Sequence, residues 1–142
     1  MGAIVANGGS MATADRVVII DDDDSMRKAL QRLLAAAGFQ PIAYESSEAF
    51  LADNPEINSS CIVCDQNLPA MPGLELLKVI RKRQESVPFI LITAFDSPSL
   101  GPRALGDGAI AYLTKPFAGF ELIEAIREAI ALSGKSPRPS AQ

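Results

Sequence analysis

Five short apolar runs, each followed by a stretch with helical spacing, constrain this chain more than any other feature. Arg16-Val-Val-Ile-Ile20 is β-branched and continuously apolar, the pattern of a strand buried on both faces. Met26, Ala29, Leu30, Leu33, Leu34 and Ala37 then recur at helical spacing, with Gly38 placed as a C-cap. Residues 39–44 read as a second strand. Ser46-Ser47-Glu48 starts a short helix carrying Phe50 and Leu51, which Pro55 ends. Cys61-Ile-Val-Cys64 is a third strand, and Leu74, Leu77 and Ile80 mark a third helix beginning after Pro72-Gly73. Phe89-Ile-Leu-Ile92 is a fourth strand and residues 109–113 a fifth. Phe120, Ile123, Ile126 and Ile130 outline a last amphipathic helix. Alternation demands a further helix between residues 96 and 108, but that segment holds Pro98, Gly101, Pro102, Gly106 and Gly108. A short, late-starting helix with Pro102 in its first turn is the expectation there.

Alternation of this kind predicts an α/β fold, a parallel sheet with helices on both faces. Right-handed crossovers restrict the topologies, and the doubly wound order 2-1-3-4-5 suits five such units. No internal repeat or low-complexity block interrupts the pattern. With 142 residues, the chain has room for one ordinary domain.

Composition narrows the chemistry. The chain contains no histidine. That excludes Ser-His-Asp and Cys-His nucleophile pairs and His-ligated zinc. Any reaction must use carboxylates, hydroxyls, Lys, Arg or a bound metal. Thirteen basic residues against seventeen acidic ones give a net charge of −4, which argues against direct nucleic-acid binding. Arg81-Lys82-Arg83 is read as a solvated helix end. Cys61 and Cys64 lie three apart on a strand and point to opposite faces, so they are read as reduced core thiols suited to a cytoplasmic location. No apolar stretch is long enough for a membrane span. Residues 1–14 are read as a tail, with 1–10 derived from an expression vector. The folded domain is placed at 15–133, and 134–142 is read as a disordered tail or linker.

In open α/β sheets, ligands bind beyond the carboxyl ends of the strands. Those ends carry Asp21 and Asp22 after the first strand, Asp65 after the third and Thr93 after the fourth. Thr114, Lys115 and Pro116 follow the fifth. Three carboxylates converging on one crevice repel unless a hard divalent cation relieves them. Lys115 supplies a compact positive charge for an anion and Thr93 a hydroxyl donor. Such a set suits phosphoryl transfer, with a carboxylate itself able to act as nucleophile.

With these residues in view, the chain resembles the receiver domains of bacterial two-component response regulators, and the FixJ-like subgroup in particular. The similarity lies in Val17–Leu30, Val63–Gly73, Ile90–Ala94 and Gly108–Phe117, four motifs in register at four strand ends. It implies a flavodoxin-like (βα)5 receiver fold. It also implies that Asp65 accepts a phosphoryl group. Asp22 would bind Mg²⁺ or Mn²⁺ directly and Asp21 through water, with the Asn67 backbone carbonyl as a further ligand. Thr93 would hydrogen-bond a phosphoryl oxygen, Lys115 would pair with the group, and Lys115–Pro116 would be cis. Thr93 and Tyr112 would be the switch residues, and small Ala94 would leave the acceptor open.

The implied partners are a sensor histidine kinase or a His-phosphotransfer protein upstream. Downstream stands an effector protein or a DNA-binding domain of a longer regulator. Homodimerisation on activation is common in the family, and composition does not decide it here. The main alternative is a receiver-like interaction module that works without phosphorylation, motivated by the Gly- and Pro-rich segment 96–108. A haloacid-dehalogenase-type phosphatase is a weaker one, because Asp22 and Asp24 match only the carboxylate spacing of its signature.

Overall fold

The structure is a computed structural model in which residues 14–134 are described. Nearly all of both tails inferred above falls outside them. The strands are β1 (Arg16–Ile20), β2 (Gln40–Tyr44), β3 (Cys61–Asp65), β4 (Phe89–Thr93) and β5 (Ala111–Thr114). The helices are α1 (Asp24–Ala36), α2 (Ser47–Asp53), α3 (Gly73–Lys82), α4 (Leu100–Gly106) and α5 (Gly119–Gly134). All strand pairs are parallel, and the order is β2-β1-β3-β4-β5.

The alternation of strand side chains divides the core into two layers. Val18, Ile20, Ile62, Cys64, Phe89 and Leu91 face one side, where Phe50, Leu77 and Ile80 cover them. Val17, Ile19, Cys61, Val63, Ile90 and Ile92 face the other, under Leu30, Leu34, Leu122 and Ile126. The two cysteines therefore lie in different layers, both buried and unpaired. Burial pushes the Cys61 thiol up to about 12. Burial, with the Asp65 charge nearby, raises Cys64 well above its ordinary value.

Local chemistry sets the helix ends. Asp23 caps α1 by accepting from the backbone N–H groups of Ser25 and Met26, and Ser46 caps α2 through the Ala49 N–H. Gly38 follows α1 with φ +96°, a left-handed conformation that glycine takes at little cost. Helix α4 is short and starts late, with Pro102 as its third residue, as the composition of that segment predicts.

Two expectations need correction. Phe120 does not face the core; it is 68 % exposed, while Leu122, Ile126 and Ala129 are the buried positions of α5. The apolar spacing is compatible with both registers of that face, and packing on the sheet layer centred on Cys61 and Val63 of β3 selects one. Arg81 is not a freely solvated charge either. Its guanidinium donates to the carbonyls of Glu85 and Gly108 at 3.0 and 2.9 Å, tying the end of α3 to the turn before β5. Burial lowers its pKa from the ordinary arginine value.

Candidate functional site

Strand register alone brings the acidic residues together. Ile20 is level with Cys64, so Asp21 and Asp65, the next residues on adjacent parallel strands, emerge side by side. Asp65 is level with Ile92, and Thr93 with Thr114. Thr93 therefore stands one residue beyond Asp65, and Lys115 reaches back from the far edge with its long side chain.

Asp21 is fully buried and Asp65 is 5 % exposed. Two ionised carboxylates at such depth need partners. Lys115 Nζ supplies them, 2.9 Å from Asp21 Oδ2 and 3.2 Å from Asp65 Oδ2. Burial by itself would lower the Lys115 pKa; the hydrogen bonds and charges of Asp21 and Asp65 outweigh it and hold it above the ordinary lysine value. The backbone bends around the same carboxylates. Asp21 Oδ1 accepts from the Asp23 N–H at 2.9 Å, and Asp65 Oδ1 accepts from the Asn67 N–H at 3.0 Å. Asp22 sits exposed at the tip of the first bend.

Carboxylate oxygens of Asp21, Asp22 and Asp65 lie within 4.8 Å of one another. This is an all-oxygen, acidic donor set, which fits a hard divalent cation and not a thiophilic one. The peptide between Lys115 and Pro116 is cis, as expected.

Thr93 and Tyr112 are both engaged. The buried Thr93 hydroxyl donates to Asn67 Oδ1 at 2.7 Å and accepts from the Phe95 N–H at 3.0 Å. Tyr112 Oη donates to the Asp96 carboxylate. Desolvation, then the Asp96 hydrogen bond and charge, push its pKa up to about 12.

Sequence reasoning missed three contributors. Gly73 enters the sequence only as half of the Pro72-Gly73 pair before the third helix, but a Cβ there would lie 2.6 Å from Leu91 Cδ1 and 2.7 Å from the Asp65 carbonyl oxygen. The start of α3 therefore approaches β3 at a distance only glycine permits. Gln66 Oε1 accepts from the Leu74 N–H at 2.8 Å, fixing the same approach. Asp96 holds Tyr112, and nothing in its local sequence marks it out, because the pairing crosses from the β4–α4 loop to β5.

The comparisons with known proteins agree with this geometry. The response regulator receiver domain family matches residues 17–127. The transcriptional regulatory protein FixJ of Bradyrhizobium diazoefficiens is 35% identical over 120 residues, covering 84% of this chain and 58% of FixJ. The C4-dicarboxylate transport transcriptional regulatory protein DctD of Rhizobium meliloti is 34% identical over 119 residues, 84% of this chain and 26% of DctD. This chain thus spans little more than half of the one relative and about a quarter of the other. Among solved structures, FixJ-N superposes with a TM-score of 0.78 at 33% identity, over 84% of this chain and 96% of that one. A CheY-like receiver from Methanospirillum hungatei gives 0.82 at 26% identity, over 88% and 100%. Fold, strand-end residues and sequence similarity converge, and the chain belongs to the response regulator receiver domain family.

Proposed function

We propose that this receiver takes a phosphoryl group onto Asp65, with Mg²⁺ or Mn²⁺ held by Asp21, Asp22, Asp65 and the Asn67 carbonyl. One observation carries the reading: Asp65 is a nearly buried carboxylate whose Oδ2 faces Lys115 Nζ at 3.2 Å beside two further carboxylates. Phosphoryl transfer is mostly positioning and charge neutralisation, and this pocket is built for both. An Asp65 oxygen forms the new bond to phosphorus as the bond to the donor's leaving group breaks. Lys115 pairs with the incoming anion. A divalent cation held by these carboxylates would supply charge neutralisation for the transferring oxygens. The Thr93 hydroxyl leaves Asn67 to donate to a phosphoryl oxygen, and Tyr112 responds to the space this opens.

The upstream partner is a sensor histidine kinase or His-phosphotransfer protein, since this chain has no histidine of its own. The relatives are named as transcriptional regulators, which supports an effector or DNA-binding domain as the downstream target. The receiver unit is taken as residues 15–133, and the reduced thiols in its core suit the cytoplasm. The same acidic set argues against the phosphorylation-independent reading, because such a module has no use for three converging carboxylates beside a lysine.

Incubation with acetyl phosphate and Mg²⁺, followed by mass spectrometry, is expected to place one phosphoryl group on Asp65. Asp65→Asn and Mg²⁺ removal should each abolish the label. Undiminished labelling of Asp65→Asn sinks the assignment.

A further inference from the structure

The four consecutive aspartates 21–24 are followed three residues later by Arg27. An arginine at the fourth position of a helix is unfavourably placed, because the helix N-terminus carries positive partial charge. Arg27 is nevertheless largely covered, with its side chain 18% exposed. Its Nη1 donates to the main-chain carbonyl of Asp21 at 2.8 Å, and its Nη2 meets the Asp24 carboxylate. The carbonyl it grips is the point where the chain leaves β1.

The Asp21–Asp23 bend is consequently held from four sides. The Asp21 N–H donates to the Tyr44 carbonyl at 3.2 Å. Asp21 Oδ1 accepts from the Asp23 N–H, Asp21 Oδ2 from Lys115, and the Asp21 carbonyl from Arg27. Asp22 lies inside that bend, and no side-chain contact of its own fixes it among the hydrogen bonds and ion pairs described. Its carboxylate is aimed only by the backbone on either side. Of the four contacts on Asp21, the guanidinium is the one that comes from α1, and it adds to the Asp23 cap in tying the bend to that helix.

We infer that Arg27 is a positioning residue for the metal-binding bend: it orients Asp22 by fixing the Asp21 carbonyl. This rests on the reading of Asp21 and Asp22 as cation ligands. A competing role is purely electrostatic, since a guanidinium beside four carboxylates lowers their repulsion and would also oppose a cation. The two roles predict opposite outcomes. Positioning predicts that Arg27→Lys, which keeps the charge but loses the planar fork, and Arg27→Gln both weaken Mg²⁺ binding. The expected loss is roughly threefold to tenfold, the range of one hydrogen bond. Charge alone predicts that Arg27→Lys binds as the parent does and Arg27→Gln binds more tightly.

The experiment is Mg²⁺ titration of the full chain followed by amide NMR, with amide exchange of Asp23 measured on the metal-free protein. Weaker Mg²⁺ binding by both variants, with faster Asp23 exchange, is the expected result. Parent-like binding by Arg27→Lys with tighter binding by Arg27→Gln overturns the inference, as does unchanged Asp23 exchange in both. If the parent chain binds no Mg²⁺, the cation reading fails by itself, and Asp23 exchange still decides whether Arg27 holds the bend.

Discussion

Asp65 and Lys115 show how single residues carry the site. The lysine is held above its ordinary pKa by Asp21 and Asp65, so its charged form is favoured in the folded state. That contribution to stability is fully present below the ordinary lysine value and is lost as pH rises through the higher folded value. Replacing Lys115 with Met leaves two buried carboxylates facing each other. Urea unfolding is expected to show a loss of a few kcal/mol at neutral pH, about the cost of breaking a buried pair, and a shallower fall at alkaline pH. Tyr112 is a second reporter. In a Tyr44→Phe background, ultraviolet titration should find it ionising near 12. Asp96→Asn should lower that value without restoring the ordinary tyrosine one, because desolvation is the larger cause. No change would mean that the Asp96 hydrogen bond is absent in solution. Asp65, Thr93 and Lys115 were all legible as residue types at strand ends. Asp96 and Gly73 were not, because their partners lie 16 residues away and on another strand respectively.

At the scale of elements, the close approach of α3 to β3 and the packing of α5 on the sheet matter most. Gly73→Ala places a methyl inside contact distance of both Leu91 and the Asp65 carbonyl. Because one of those atoms is backbone, relief requires α3 to move. A stability loss of about 1–3 kcal/mol by denaturant unfolding is expected, the range for overpacking. Chemical-shift changes should extend to the Asp65 amide. Helix α5 is pinned by Leu122, Ile126 and Ala129, so Ile126→Ala should cost about 2–5 kcal/mol. Phe120→Ala, on the exposed side, should be near neutral. Equal effects of the two would contradict the register of α5. The existence and type of the elements followed from periodicity. The facing of α5 did not, because isoleucines on neighbouring stripes satisfy helical spacing equally well. Only the sheet surface beneath, centred on β3, selects between them. Helix α4 was legible through its disfavoured composition, which delays the start without abolishing the helix.

Across the whole molecule, the missing histidine has a chemical consequence. A chain without His has no imidazole to carry a phosphoryl group, so in a His–Asp exchange it can stand only on the aspartate side. All label acquired from a small phosphodonor is therefore expected to be released by hydroxylamine. Hydroxylamine-resistant label would point to a hydroxyl acceptor and away from Asp65.

Sequence alone determined the class of fold, the five-unit alternation and the row of strand-end residues where chemistry could sit. These depend on local periodicity and on residue type, and both are written along the chain. Tertiary structure decided the contacts between elements: Lys115 bridging Asp21 and Asp65, Arg27 turning back to the Asp21 carbonyl, Gly73 against β3, and Arg81 tied to Gly108. Each joins residues that no local pattern pairs. Their geometry exists only once parallel register and two-sided packing have fixed where every strand ends.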